Sequence, residues 1–189
     1  MQTEIMIAGF GGQGILFAGQ LLAYAAMDSG FEVTWIPSYG PEMRGGTANC
    51  TVIIADDEIG APTVRNPQAA LVFNLPSLDK YESVVKPGGV LVANASLVDR
   101  GFERADLKAV LIPANEMAET LGDKRMTNMI MLGAMLGALP VLPLSAIEKA
   151  LEDHLPARHK RLLPLNFQAL QQGAEFARKT LAVLAFAAV

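Results

Sequence analysis

Glu4-Ile5-Met6-Ile7-Ala8-Gly9-Phe10-Gly11-Gly12-Gln13-Gly14-Ile15-Leu16-Phe17-Ala18-Gly19-Gln20-Leu21-Leu22 is the stretch whose reading decides the fold. The opening residues are short and apolar, as in a parallel strand covered on both faces. From Ile15 the chain is rich in alanine and leucine, which predicts a helix running to about Asp28. Between them Gly9, Gly11 and Gly14 take the spacing of a dinucleotide-binding turn. Such a turn needs a tight bend, bare backbone that a phosphate can approach, and close helix–strand packing. The helix N-terminus behind it presents unpaired amides and partial positive charge, which favour an anion by roughly 0.3–2 kcal/mol. Gly12 removes one more side chain, and Gln13 adds an amide that can donate or accept.

A nicotinamide site also needs an acid at the end of the second strand, to hold the ribose hydroxyls. Glu32-Val33-Thr34-Trp35-Ile36 reads as that strand, and it runs into Pro37-Ser38-Tyr39-Gly40 without a carboxylate. Glu32 stands at the wrong end. The missing acid disfavours an ordinary NAD enzyme. It leaves open a turn that binds another ligand, or one that only lets the helix pack closely.

With 189 residues the chain fits one unit, an α/β core over 1–113 and a helical part over 114–189. Of its residues 51% are apolar and 18% charged, so some apolar surface is expected to lie under a partner. A net charge of −4 argues against nucleic acid. The single cysteine, Cys50, excludes an intrachain disulfide and a cysteine-held cluster or zinc site, and it reads as a buried small hydrophobe. No basic-then-apolar leader precedes the first strand, so a cytoplasmic location is expected. Met126–Ile147 carries no charge, but Pro140 and Pro143 interrupt it and Asn128 sits inside, so a buried helix ending near Leu139 fits better than a membrane span. Its Gly133 and Gly137 permit close packing on a neighbour. The apolar run 181–189 is too short to cross a bilayer and reads as a docking end.

Ser38-Tyr39-Gly40-Pro41-Glu42-Met43-Arg44-Gly45-Gly46-Thr47 is the most unusual connection. Glycines beside Arg44 let backbone approach a ligand, and Arg44 offers a forked cation suited to phosphate or carboxylate. The plainer alternative is a Glu42–Arg44 tether in an exposed loop. Further strands are expected over 49–55, 70–73, 90–94 and 109–112, and helices over 77–85, 115–121 and 127–139. Ser145-Ala146-Ile147-Glu148 has the form of a capping box opening another helix, and Asn166 is placed to cap the last. Arg158-His159-Lys160-Arg161 reads as a solvated connector, or else as a site for an acidic partner. His154 and His159 have no further ligands near in sequence, so no metal site is predicted. Strands alternating with helices imply a three-layer, Rossmann-like α/β fold with a mainly parallel sheet and a helical C-terminal part.

Ile7–Gly14 followed by Ser38–Cys50 resembles the gamma subunit of 2-oxoacid:ferredoxin oxidoreductases (the 2-oxoglutarate, pyruvate and ketoisovalerate type), most of all the 2-oxoglutarate members. Pro76–Glu82, Lys86-Pro87-Gly88-Gly89 and Asn128-Met129 with Leu132-Gly133-Ala134 share the family's pattern. The resemblance covers about residues 5–139. It implies a Rossmann-like unit in a complex that oxidatively decarboxylates a 2-oxoacid to acyl-CoA. Thiamine diphosphate and iron–sulfur clusters are then carried by partner alpha and beta subunits, with a delta subunit in some complexes, and ferredoxin accepts the electrons. The gamma unit is implied to lie beside the coenzyme A region.

The residues agree with a chain that carries no reaction centre. There is no Gly-Asp-Gly…Asn thiamine diphosphate motif, and no serine–histidine–acid constellation. Gly11, Gly12, Gln13 and Gly14 are expected to face phosphate or pantetheine. Ser38, Tyr39, Gly40, Gly45 and Gly46 form the second loop, with Arg44 its cation and Tyr39 a stacking or hydrogen-bonding wall. Both loops should follow the carboxyl ends of neighbouring strands and open on one crevice. Three functional readings remain: a cofactor-facing subunit of this complex, a stand-alone nucleotide-dependent enzyme, and an assembly subunit whose glycine loops touch only protein.

Overall fold

The computed structural model describes residues 1–40 and 45–187, the side chain of Ala187 excepted. Pro41, Glu42, Met43 and Arg44 lie outside the described residues, and so does the end of the 181–189 run. Among the described residues six strands form one sheet: β1 (Gln2–Phe10), β2 (Glu32–Tyr39), β3 (Thr47–Ala55), β4 (Ala69–Val72), β5 (Val90–Asn94) and β6 (Lys108–Ile112). Their order is β2-β3-β1-β4-β5-β6. β1, β4, β5 and β6 pair in parallel, whereas β3 runs antiparallel to both β1 and β2. The helices are α1 (Ile15–Asp28), α2 (Leu75–Tyr81), α3 (Ala114–Thr120), α4 (Thr127–Ala138), α5 (Leu144–His154) and α6 (Leu163–Ala187).

β3 changes the expected arrangement. It lies between β1 and β2, so the two glycine segments do not follow neighbouring strands. They still meet, because β1 and β2 are both antiparallel to β3 and end at the same edge of the sheet. Ser38 and Tyr39, expected in a loop, are ladder residues opposite Asn49 and Ala48. β2 is an edge strand, where Pro37 is tolerated because no ladder bond is required of its missing N–H. With an antiparallel strand beside β1, the nicotinamide-type arrangement of two adjacent parallel strands is not formed at this edge.

β1 is buried on both faces, as its apolar run predicts. On one face Ile5, Ile7, Leu71 and Val92 pack with α1, α4, α5 and α6; on the other Met6, Ala8, Val72 and Leu91 pack with Leu78 and Tyr81 of α2. Cys50 is fully buried in the first cluster. Burial pushes its thiol up to about 12, so it is protonated and inert at neutral pH.

α4 and α6 are the most closely packed pair of helices. A Cβ at Gly133 would lie 2.1 Å from the Leu170 carbonyl oxygen, and one at Gly173 would lie 2.0 Å from that of Ile130. A Cβ at Gly137 would lie 2.5 Å from the Ala174 carbonyl oxygen. The glycines let two backbones touch, as the spacing of Gly133 and Gly137 suggests. Among the described residues no helix is long and apolar enough to cross a membrane.

Two expected caps are corrected. α5 begins at Leu144 with Pro143 as its N-cap and no side-chain cap bond. The fixed extended geometry of Pro143 starts the helix one residue before Ser145, so the Ser145–Glu148 box does not form. Asn166 lies inside the first turn of α6, where its Nδ2 donates to Leu162 O at 2.7 Å. The helix over 77–85 instead starts at Leu75, capped by Asn74, and its last turn, Glu82–Val84, is a 3-10 turn.

Candidate functional site

The site is built at the carboxyl end of β1. The chain leaves the strand at Phe10 and turns into α1 through Gly14, which has φ +76°. Gly12 is also left-handed, at φ +99°, which glycine adopts without steric penalty. The turn is pinned from two sides. Gly11 N donates to Gly46 O at 2.8 Å, and Gly45 N donates to Gly11 O at 3.2 Å. Gln13 folds back, its Oε1 accepting from Phe10 N at 2.6 Å, so that half of its amide serves the turn itself. Asn128, nearly buried at the start of α4, donates from Nδ2 to Gly14 O at 3.3 Å.

In front of this turn lies a cleft of about 570 Å³. Gly12, Gln13 and Gly14 form one wall, and Phe17 and Leu97 supply exposed apolar surface. Asn115, Thr127 and Asn128 supply polar groups, and Lys124 and Arg125 supply charge. α1 begins here with no acidic residue in its first turn and no side-chain cap at Gly14, so partial positive charge faces the cleft.

The two cations are held loosely. Lys124 Nζ is 2.9 Å from Glu119, and Arg125 makes a short ion pair with Asp123, at 2.6 Å. The Asp123 carboxyl is held below the usual carboxylate range by the Arg125 hydrogen bond. The pair is therefore intact at neutral pH and is lost only as pH falls through that depressed value. Because Lys124 and Arg125 are well exposed, these ion pairs contribute little to stability and can be exchanged for a ligand oxyanion.

A buried network fixes the rear of the cleft. Asn94 closes β5 and is fully buried. Its Oδ1 accepts from Ala114 N at 3.2 Å and Ser96 N at 3.3 Å, and its Nδ2 donates to Asn115 Oδ1 at 3.1 Å. Thr127 Oγ1 donates to Lys124 O at 2.9 Å. The ends of β5 and the starts of α3 and α4 are thus locked together.

Of the residues expected at the site, Gly12, Gln13 and Gly14 line the main cleft. Gly11, Gly45 and Gly46 form the hydrogen-bonded strap beside it. Tyr39 is 54% exposed and walls a smaller adjoining cleft of about 320 Å³, shared with Phe10, Gly11, Gly12, Gly14 and Phe17. Gly40 N donates to Thr47 O at 3.1 Å, and Ser38 is an exposed ladder residue. Arg44 is outside the described residues. Lys124 and Arg125 were not anticipated: Arg158–Arg161 is the longer basic run, yet it lies in a separate 3-10 segment, Ala157–Leu162. The sequence signal was a basic pair directly before an uncharged helix. Among the described residues no group of three or more His, Cys, Asp or Glu could hold a metal.

The two left-handed glycines separate backbone strain from crowding. A Cβ at Gly12 meets nothing within 4 Å, whereas one at Gly14 would lie 2.4 Å from Asn128 Nδ2. Gly12→Ala is expected to cost about 1–2 kcal/mol from backbone alone. Gly14→Ala adds the displacement of Asn128 and should cost about 2–4 kcal/mol. Denaturant melts of both variants check the difference.

The model of the family described as "Pyruvate ferredoxin/flavodoxin oxidoreductase" matches residues 4–176. The ketoisovalerate oxidoreductase subunit VorA of Methanothermobacter marburgensis is 37% identical over 95% of this chain, which spans only 37% of that relative's length. The 2-oxoglutarate synthase subunit KorC of the same organism is 34% identical over 93% of this chain and 96% of its own. The crystal structure of a keto/oxoacid ferredoxin oxidoreductase gamma subunit from Geobacter sulfurreducens PCA superposes with a TM-score of 0.77 at 32% identity, covering 93% of this chain and 98% of that one. Fold and sequence pattern agree: this chain belongs to the pyruvate ferredoxin/flavodoxin oxidoreductase family and is similar to its gamma-type units.

Proposed function

We propose that this chain is the gamma unit of a multi-subunit 2-oxoacid:ferredoxin oxidoreductase, carries no reaction centre itself, and forms a wall of the coenzyme A site. The observation that carries the reading is the glycine turn at the end of β1, strapped by Gly45 and Gly46 and opening on a cleft with Lys124 and Arg125. Coenzyme A is a co-substrate with several phosphates joined to a long, weakly polar arm. A helix N-terminus and two cations suit the phosphates, and Phe17 and Leu97 suit the arm. Thiamine diphosphate and the iron–sulfur clusters belong to the alpha and beta partners, with a delta chain where present, and ferredoxin receives the electrons. The proposed acid is 2-oxoglutarate, in line with the similarity to KorC. The proposed location is the cytoplasm. A second reading, an assembly subunit whose turn contacts only protein, is favoured by the exposure of Phe17 and Leu97 at the cleft.

The test is co-expression with the thiamine- and cluster-bearing chains. The assembled complex should reduce ferredoxin in the presence of 2-oxoglutarate and coenzyme A, whereas this chain alone should show no turnover. Activity of the isolated chain, or failure to copurify with such partners, would refute the reading.

Arg44 belongs to the same proposal. If it faces coenzyme A, a charge-assisted bond contributes about 1.5–3 kcal/mol, so Arg44→Ala should raise KM for coenzyme A roughly ten- to a hundredfold. Arg44→Lys should restore only part of this, because an ammonium lacks the planar fork. If Arg44 only tethers Glu42, the change stays below about 1 kcal/mol. Steady-state assay of the correctly assembled variants separates the two.

A further inference from the structure

A second crevice lies behind the glycine turn, at the point where the fold changes face. After β1 the chain packs α1 on one side of the sheet, and after β4 it packs α2 on the other. β1 and β4 are parallel neighbours, so their carboxyl ends form the topological switch point at which open α/β sheets hold ligands. The crevice there measures about 40 Å³. A water's share of liquid volume is roughly 30 Å³, so the crevice admits one small group and not a nucleotide.

Its lining is rich in donors. Thr47 and Asn49 come from β3, Asn74 from the end of β4 and Lys80 from α2, beside the bare backbone of Gly9 and Phe10. Among the described residues no carboxylate lines it. Asn74 is 2% exposed. Its Oδ1 is committed, accepting from Ser77 N at 3.0 Å as the cap of α2. Its Nδ2 is buried and has no acceptor among the described residues. Orphan donors of this kind are rare in folded proteins and call for an explanation. Lys80 places its ammonium 4.9 Å over the Tyr81 ring and makes no ion pair among the described residues.

We infer that this crevice binds a carboxylate head group, with Asn74 Nδ2 as the buried donor and Lys80 as the charge at the rim. One oxygen of the acid takes the free amide hydrogen, and the ammonium neutralises the group. The site is separate from the cleft that holds Lys124 and Arg125, and it stands whether or not that cleft takes coenzyme A. The carboxylate is supplied either by a free small acid or by an acidic side chain of a partner subunit.

Asn74→Asp is the discriminating variant. It keeps an oxygen to cap Ser77 N, removes the donor and adds a repelling charge; Lys80→Gln is a second change at an exposed position. The full chain, labelled with 15N, is titrated with formate and with acetate against chloride at constant ionic strength. The side-chain amide of Asn74 and the backbone amides of Gly9 and Ser77 should shift saturably with both acids and not with chloride; followed at those backbone amides, either variant should weaken binding at least tenfold, and Lys80→Gln should do so without lowering the melting temperature. In a second arm the chain is mixed with its partner subunits. An acid supplied by a partner should abolish the formate titration, and Asn74→Asp should then weaken assembly at least tenfold. A free small acid should leave assembly unchanged and formate binding intact. Absence of a saturable shift with either acid, together with assembly indifferent to Asn74→Asp, would overturn the site. So would formate binding at wild-type affinity in Asn74→Asp.

Discussion

Gly133→Ala lowers the melting temperature of this chain by about 4–12 °C. Helix propensity alone predicts the opposite sign, since alanine is favoured over glycine inside a helix by about 1 kcal/mol. The packing decides otherwise. The new methyl would stand 2.1 Å from the Leu170 carbonyl oxygen, and that atom belongs to the backbone of α6, so no rotamer change relieves the overlap. The two helices must part along the crossing formed by Gly133, Gly137 and Gly173. Overpacking of this kind costs about 1–3 kcal/mol and at times more. With backbone on both sides we expect a net loss of about 2–3 kcal/mol, a large share of a stability of roughly 5–15 kcal/mol. For a chain of this length each kcal/mol shifts the midpoint by about 2–4 °C. Gly173→Ala should behave alike, and the double variant should lose less than the sum, since both open one interface. Thermal melts followed by circular dichroism measure all three. A raised midpoint for either single variant would show that α4 and α6 do not touch as described.

The second large effect is at the cleft. Lys124→Ala with Arg125→Ala should raise KM for coenzyme A in the assembled complex by roughly a hundredfold, with kcat little changed. Charge-assisted bonds to phosphate contribute about 1.5–3 kcal/mol each, and the exposure of both side chains places the expectation at the lower end. Lys124 and Arg125 are both well exposed, so losing their ion pairs to Glu119 and the partly buried Asp123 should leave the melting temperature almost unchanged. A KM effect without a stability effect separates ligand binding from folding. Raised salt should reproduce part of the KM effect in the unaltered protein.

The local elements were legible because their signals are local. The apolar run of β1, the spacing of Gly9, Gly11 and Gly14, and the alanine-rich α1 each specify geometry within a few residues. The antiparallel insertion of β3 is written in the sequence too. Two strands joined by a short glycine-containing segment without a helix can pair only as a hairpin, because a parallel pair needs a crossover of a dozen residues or more. Pro37 marks the edge strand for the same reason of missing donors. The Ser145–Glu148 box shows the reverse error: the motif is present, but Pro143 sets the entry geometry first. The rear of the cleft was beyond sequence reasoning. Asn94, Asn115 and Thr127 are brought together only by the ends of β5, α3 and α4, and their types carry no spacing rule. Lys124 and Arg125 were hidden behind a longer basic run whose place in the fold is elsewhere.

The glycine turn and the start of α4 are proposed to face coenzyme A. Hydrogen exchange on the assembled complex, with and without saturating coenzyme A, tests it most directly. The expected result is added protection of the Gly11–Ala18 and Lys124–Asn128 amides when coenzyme A is present, with no change at α5. Equal exchange with and without coenzyme A, with those amides already protected by partner subunits, would contradict it.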